Sequence, residues 1–271
     1  LVKPDIGEDA SVIEMGDRVL VLSSDPITGA IKDPGRLSVH VNANDIAAMG
    51  ASPEWFLITL FLPEGSTRSD LKEIVNDVSE GCKNLGISLV GGHTEVTPGL
   101  ERVLISGAMV GEAPADQWVS ASQAEPGDRI ILTKSAGVEG TFILATDREE
   151  ELVSMLGEDI VRRAQLFKEK LSVVSDALTA VGAGEVHAMH DVTEGGVLGG
   201  LYELSDASET GFSVSSDSII VEEETEAICE FFDIDPLRLI SSGTLLIAVA
   251  PADDEKIVRS LREKGIEASV I

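Results

Sequence analysis

The sequence predicts a two-domain protein of the α+β or α/β class, in which strands and helices are mixed. Its 271 residues suffice for one large domain or two modest ones. Apolar runs typical of strands and amphipathic stretches typical of helices follow one another without the strict alternation of a βαβ array. A linker-like segment, residues 113–123, divides them. We therefore expect an N-terminal domain over residues 1–117 and a C-terminal domain over residues 118–271.

The elements before the linker are predicted from apolar runs and from helix-terminating signals. One apolar run, residues 55–62, lacks alternation, which predicts a strand buried on both faces. The helix after it is capped by Thr67 or Ser69, carries one apolar stripe and ends at Gly86. The predicted strands of this half are residues 18–22, 55–62, 87–90 and 102–110, and the predicted helices are residues 37–50 and 67–86.

The elements after the linker are predicted in the same way. The long helix expected at residues 158–180 carries its apolar residues at helical spacing. The predicted strands are residues 129–133, 186–189 and 244–249, and the predicted helices are residues 138–147, 158–180, 195–208 and 253–264.

The charge of the chain excludes several classes of function. Its 48 acidic and 20 basic residues give a formal net charge of -28. Because nucleic acids and anionic membrane surfaces bind to basic faces, we expect neither as a partner. The sequence shows no signal peptide and no apolar run of membrane-spanning length, so we expect a cytoplasmic protein. The two cysteines, Cys82 and Cys229, are too few for a disulfide framework or a thiol metal site.

Four acidic motifs lie beside glycines or at strand ends, where a solvated helix face does not explain them. Mg²⁺ bound to polyphosphate requires hard oxygen ligands from several segments and backbone N–H donors at a glycine-rich helix start. One motif alone is more typical of a turn or cap, and capping remains the alternative for Asp191 or Thr193. The motifs are Gly7-Glu8-Asp9-Ala10, Ser24-Asp25, Asn42-Ala43-Asn44-Asp45 and His190-Asp191-Val192-Thr193-Glu194-Gly195-Gly196.

A fifth motif, Gly91-Gly92-His93-Thr94-Glu95, follows a predicted strand. Its glycines allow a sharp turn that presents three polar side chains at a sheet edge. His93 is a candidate for phosphate contact or acid–base work, although a single histidine in a turn is more often a structural hydrogen-bonding residue. No Walker-type or dinucleotide-type glycine motif follows a strand in the sequence.

These motifs, in this order, resemble those of the aminoimidazole-ribonucleotide (AIR) synthase superfamily. This superfamily includes purine-pathway synthases, selenophosphate synthase, thiamine-monophosphate kinase and the hydrogenase maturation protein HypE. The most specific string is Asn44-Asp45-Ile46-Ala47-Ala48-Met49-Gly50-Ala51. The matches span nearly the whole chain, and their general pattern is most similar to HypE-related members. His93 departs from the Asp of HypE and is more similar to the Gly-Gly-His-Ser of selenophosphate synthases.

The resemblance implies an N-terminal domain that dimerises by joining strands of two copies into a shared β-barrel, followed by a C-terminal α/β domain. It implies that ATP lies between the domains, near the dimer seam, with Mg²⁺ held by the acidic motifs. Under this resemblance the metal ligands are Glu8, Asp9, Asp25 and Asp45, and the catalytic residues are Asp191 and His93. The cofactor-binding residues are Asn44, Thr94, Glu95, Thr193, Gly195 and Gly196.

For function, the resemblance implies an enzyme that uses Mg-ATP to phosphorylate an amide, carbamoyl or phosphate oxygen. The implied setting is hydrogenase maturation, with a small-molecule or carbamoyl-type substrate. Phosphoryl transfer of the selenophosphate-synthase or thiamine-monophosphate-kinase kind is an alternative. Another alternative is a non-catalytic nucleotide-binding protein that docks a maturation partner protein through its acidic surface.

Overall fold

A computed structural model describes residues 8–28 and 33–271, so Gly7 of the first acidic motif lies outside the described residues. The described strands are β1 (Ser11–Met15), β2 (Arg18–Ser23), β3 (Pro26–Ile27), β4 (Ser52–Leu62), β5 (Ser88–Val96), β6 (Leu104–Pro114), β7 (Arg129–Thr133), β8 (Val186–Val192), β9 (Thr244–Val249) and β10 (Ala268–Val270). The described α-helices are α1 (Pro34–Ala48), α2 (Arg68–Leu85), α3 (Val138–Asp147), α4 (Glu149–Leu156), α5 (Glu158–Gln165), α6 (Val174–Ala183), α7 (Gly196–Ser208), α8 (Glu223–Phe232) and α9 (Asp254–Glu263).

The first half of the chain forms a six-stranded sheet. Its strands lie in the order β1-β2-β6-β4-β5, with β3 also paired to β6. All neighbours are antiparallel except β4 and β5, which are parallel. Strand β6 alternates between buried and partly buried residues, the pattern of a sheet with one face on the core. Helices α1 and α2 cover this sheet with apolar side chains.

The second half forms a four-stranded antiparallel sheet in the order β10-β7-β9-β8. All six residues of the central strand β9 are buried, because helices pack on both faces. Helices α6 and α9 cover one face, and α7 covers the other. The predicted division at residues 117 and 118 falls between the last strand of the first sheet and the first strand of the second.

Helix α1 is one of the elements through which the two halves contact each other. Every residue from Leu37 to Ala48 is buried, and the apolar side chains of α1 share clusters with residues from both halves. The Asn44 amide donates to the Leu171 carbonyl at 2.8 Å and accepts from the Val173 N–H at 2.8 Å. The alanines around Asn44 allow this close packing, so the motif has a structural explanation as well as a functional one.

Three expectations about elements need correction. The helix predicted at residues 158–180 is broken into α5, a 3₁₀ segment and α6. Strand β4 is not buried on both faces, since Trp55 is 37 % and Leu57 is 43 % exposed. Part of the predicted linker belongs to β6, which continues to Pro114. No bounds were predicted for β1, β3, β10, α4 or α8, most of which are short.

Candidate active site

A cavity of about 490 Å³ collects residues from four of the acidic motifs. It is lined by elements of both halves: the segments around β1 and β3, the buried helix α1, the start of α3 and the end of β8. The sequence-predicted residues in its wall are Asp9, Asp25, Asp45, Asp191 and Thr193. The fold therefore brings together carboxylates that are up to 182 residues apart, counting from Asp9 to Asp191.

Local hydrogen bonds fix two of these aspartates. The backbone N–H of Asp25 donates to the Asn42 side chain at 2.9 Å, and the Asp25 carbonyl accepts from the Gly107 N–H at 3.0 Å. Asp45 lies inside α1, and its carboxylate accepts from the Ser23 hydroxyl. Both aspartates are thus held by residues of the first half, one in a loop and one in a helix.

Burial raises the pKa of all four aspartates. For Asp45 the pKa lies well above 3.8 because of desolvation, and then because the Asp191 and Asp25 carboxylates repel its charge. For Asp191 the pKa lies well above 3.8 because of desolvation, followed by repulsion from Asp9. The pKa values of Asp9 and Asp25 are also raised, chiefly by burial. The folded protein therefore bears an electrostatic cost here that a bound cation would relieve.

His190 supplies one positive charge next to this group. Its Nδ1 lies 2.7 Å from Asp9 Oδ1, and its Nε2 lies 2.9 Å from Glu203 Oε2. Burial disfavours protonation of the ring, but the two carboxylates outweigh it and raise the pKa of His190 well above 6.5. The imidazolium orients Asp9 and offsets part of the negative charge, which leaves the other aspartates uncompensated.

The free atoms of the cluster suit a hard cation. Asp9 Oδ2 and Asp191 Oδ2 are buried and have no hydrogen-bond partner among the described residues. Carboxylate oxygens are the ligands that Mg²⁺ prefers. Across residues 8–28 and 33–271, no three His, Cys, Asp or Glu side chains already stand as a finished metal site. The aspartates fit Mg²⁺ by chemistry and burial, and their assignment as metal ligands remains a prediction.

Asp191 and Thr193 do not cap the glycine-rich helix. Asp191 belongs to strand β8, and the N-cap of α7 is Gly195, with no side-chain hydrogen bond at the cap. Gly196 packs against another loop: a Cβ there would lie 2.6 Å from the Leu237 carbonyl oxygen. This contact explains the need for glycine at Gly196, and the prediction that Gly195 and Gly196 bind a cofactor remains untested.

The fifth motif lies elsewhere. Its polar residues, His93, Thr94 and Glu95, belong to strand β5, in which every residue is exposed. His93 Nε2 is 3.6 Å from Glu95 Oε2, and neither residue lines the cavity. Gly92 is required here, because a Cβ would lie 1.9 Å from the Ile58 carbonyl oxygen of the neighbouring strand. Within one chain, these residues do not join the aspartates.

Two other predicted residues have structural contacts. The Asn44 amide is engaged with the 171–173 backbone. Glu8 accepts from the Ser120 hydroxyl and from the Ser122 N–H at 3.3 Å, which ties the segment before β1 to the junction between the halves. Neither residue lines the cavity, so their roles as cofactor and metal ligands remain predictions.

Four polar residues of the cavity wall are not among the predicted site residues: Thr28, Glu139, Glu194 and Ser242. Glu139 is 4 % exposed and lies in the first turn of α3. Burial raises the pKa of Glu139. Hydrogen bonds from Ser242 lower this pKa, and the nearby Glu194 charge raises it. The sequence signal for Glu139 is that it is the single acid in the apolar stretch 138–144. Acidic residues are almost never fully buried unless they are paired.

The cysteines are not candidates for nucleophiles. Both thiols are buried, and burial raises the pKa of Cys82 and Cys229 to about 11. A thiol with such a pKa is protonated at neutral pH and reacts poorly. No helix in the described part of the chain is long and apolar enough to cross a bilayer.

Family models agree with this architecture in both halves. The model of the AIR synthase related protein N-terminal domain matches residues 7–113, and that of the C-terminal domain matches residues 125–271. The chain belongs to the AIR synthase related proteins. The predicted family and its two-domain α/β fold are therefore confirmed.

Individual relatives within this family point to hydrogenase maturation proteins. The chain is 29 % identical to a putative hydrogenase expression/formation protein of Methanocaldococcus jannaschii, over 97 % of this chain and 78 % of the relative. It is 32 % identical to the carbamoyl dehydratase HypE of Azotobacter vinelandii, over 88 % of this chain and 69 % of the relative.

Solved structures of this family are similar in fold as well. The HypE–HypF complex superposes with a TM-score of 0.82 at 25 % identity, covering 97 % of this chain and 86 % of the matched one. HypE in complex with ATP superposes with a TM-score of 0.79 at 25 % identity, covering 93 % of this chain and 76 % of the other. The chain is thus similar to proteins that bind ATP and a maturation partner.

Proposed function

We propose that this AIR synthase related protein is a Mg-ATP-dependent enzyme of hydrogenase maturation, which activates an amide or carbamoyl oxygen by phosphorylation. In this reaction a bond forms between that oxygen and the γ-phosphorus, the bond from the γ-phosphorus to the β–γ bridging oxygen breaks, and ADP leaves. The observation that carries the proposal is the cavity that gathers Asp9, Asp25, Asp45 and Asp191. The relatives that carry the names carbamoyl dehydratase and HypE support the substrate class.

The chain's own residues have definable tasks in this proposal. Asp9, Asp25, Asp45 and Asp191 would hold Mg²⁺, which reduces repulsion between phosphate and carboxylate. His190 orients Asp9 through its 2.7 Å contact. Helix α1 keeps Asp45 in place, because the helix is buried around this residue and the Ser23 hydroxyl donates to the Asp45 carboxylate.

Binding of nucleotide tests the proposal directly. Calorimetry with ATP should show binding to the wild-type protein in the presence of Mg²⁺ and much weaker binding when EDTA removes it. Asp45→Asn should weaken Mg-ATP binding by about tenfold, because one hard ligand is lost. Asp217→Asn is the matched control, since Asp217 is exposed on a 3₁₀ turn. Equal affinity of wild type and Asp45→Asn would contradict the assignment of Asp45.

The proposal extends to assembly. We expect a homodimer in which the exposed strand β5 meets a second copy, and a maturation partner protein of the kind seen in the HypE–HypF complex. We also propose that the two domains comprise residues 1–117 and residues 118–271. Leu89, Val90 and Val96 support the dimer, because these apolar side chains are 43 %, 53 % and 57 % exposed on one strand.

A further inference from the structure

Glu139 is a buried acid that the four-aspartate arrangement leaves unexplained. It lines the same cavity as the four aspartates, and the nearby Glu194 charge acts on both Glu139 and Asp25. The same wall includes the apolar side chains of Ile143 and Ile240.

Glu139 is held in place from one side only. The Ser242 hydroxyl and backbone N–H both donate to its carboxyl group. Its Oε2 atom is buried and has no hydrogen-bond partner among the described residues. A buried polar atom without a partner costs free energy. A ligand that satisfies Oε2 would recover this cost.

The turn that carries Ser242 is itself rigid. The Ser241 hydroxyl accepts from the Gly137 N–H at 2.7 Å, immediately before α3. The Lys134 ammonium donates to the Gly243 carbonyl at 2.8 Å, and it is buried beside Asp176 at 2.9 Å. Ser242 therefore lies between two fixed residues, and the Glu139–Ser242 pair is positioned before any ligand arrives.

The charge around Glu139 restricts what can bind there. Among the described residues, the cavity wall contains no Lys, Arg or His. An anionic group beside Glu139 and Glu194 would be repelled, with no basic side chain of the wall to offset the repulsion. An amide carries both a donor N–H and an acceptor C=O, so it can pair with a carboxyl group in either protonation state.

We propose that Glu139 is a substrate-contacting residue, whose Oε2 hydrogen-bonds a neutral amide of the phosphoryl acceptor and disfavours an anionic acceptor. This inference rests on the proposed function, because it places the acceptor in the cavity that takes the nucleotide. Ser242 is the positioning residue that orients the Glu139 carboxyl group.

Two nearly isosteric probes test this selectivity. S-carbamoylmethylcysteine ends in an amide, and S-carboxymethylcysteine ends in a carboxylate. Each is titrated by calorimetry into protein saturated with Mg-AMPPCP, a nucleotide analogue that cannot transfer its terminal phosphoryl group. Wild type should bind the amide more tightly than the acid. Glu139→Ala should weaken amide binding by about tenfold, since the hydrogen bond is lost.

Conservative and control variants sharpen the result. Glu139→Gln keeps a hydrogen-bonding group without a charge, so it should retain more amide binding than Glu139→Ala and should bind the acid better than wild type does. Ser242→Ala should weaken amide binding by a smaller factor than Glu139→Ala. Glu150→Gln, an exposed position on α4, should bind both probes as wild type does. Mg-AMPPCP affinity should match that of wild type in Glu150→Gln, and every variant is saturated with Mg-AMPPCP before a probe is added.

Failures of the two proposals are distinguishable. If wild type does not bind Mg-AMPPCP, the proposed function itself is wrong, and this inference is overturned with it. If nucleotide binds but wild type binds neither probe, or its preference for the amide survives in Glu139→Gln and Glu139→Ala, only the role of Glu139 is overturned.

Discussion

Two regions of this molecule carry short acidic motifs beside glycine. One of them is buried in the folded chain, and the other is exposed. The aspartate cluster, which comprises Asp9, Asp25, Asp45 and Asp191, is drawn from four distant segments into the wall of one cavity. The motif of strand β5, with His93 to Glu95, stays on a fully exposed sheet edge. Similar local sequence thus leads to a buried site in one case and to a surface in the other.

This difference in burial determines where acidic side chains destabilise the folded protein. Burial and mutual repulsion raise the pKa values of the clustered aspartates, so the folded chain is less stable there than it would be without them. Within one chain, the polar side chains of β5 are exposed to solvent. The unusual feature of β5 is its exposed apolar residues, which are typical of a protein–protein contact.

The largest expected effect concerns catalysis by the cluster. Asp191→Asn should lower Mg²⁺-dependent ATP turnover by a factor of about ten or more, on the order of 1.4 kcal/mol or greater. The reason is the loss of a buried charge that faces Asp9 and Asp45 in the same cavity. Turnover is measured as ADP release, and circular dichroism checks that the variant folds.

The exposed Asp217→Asn variant is the control for this measurement, because it removes the same charge from the same half of the chain. An Asp191→Asn variant with wild-type turnover would show that the cluster has no catalytic part.

A second prediction concerns the β5 edge. If a second copy binds there, light scattering at micromolar concentration should give twice the mass of one chain for wild type. Val90→Glu should reduce it to the mass of one chain, since a charge would be buried in the contact. Val75→Glu is the matched control, because Val75 is exposed on helix α2 instead. A wild-type monomer would contradict the dimer.

The smallest expected effect is on stability without ligand. Asp45→Asn should raise the Tm at pH 7 by at least about 2 °C, because it removes a buried charge that neighbouring carboxylates repel. The folded pKa is raised, so the cost of the ionised form grows as pH rises above 3.8 and disappears as pH falls. The gain in Tm should therefore shrink on acidification, as followed by scanning calorimetry.

The exposed Asp217 gives the contrast. Asp217→Asn removes a charge that is not buried, so its Tm at pH 7 should match that of wild type. Equal shifts for Asp45→Asn and Asp217→Asn would show that the burial of Asp45 carries no cost.

Local signals predicted some elements closely. Helix α2 was expected between a cap at Thr67 or Ser69 and a stop at Gly86. The structure shows Thr67 in a reciprocal capping box with Asp70, and Gly86 in the left-handed conformation. Both ends depend on interactions within four residues, which the sequence displays directly.

The helix predicted at residues 158–180 failed for the opposite reason. Its apolar spacing is helical, but distant groups hold the backbone at residues 171–173 in another conformation. Asn44 binds the Leu171 carbonyl and the Val173 N–H, and Lys134 binds the Ser172 carbonyl at 2.7 Å. Such long-range hydrogen bonds leave no periodic signature in the segment that they interrupt.

The family, the two-domain α/β class and the set of acidic motifs that build the cavity can be derived from the amino-acid sequence alone. These properties follow from residue order and from interactions between near neighbours. Only the tertiary structure decided which motifs share a cavity, that Asn44 is engaged in joining the two halves, and that Glu139 lies with Ser242 in the cavity wall. The reason is physical: desolvation and contact depend on which distant segments pack together, and two carboxylates affect each other only after folding has brought them close.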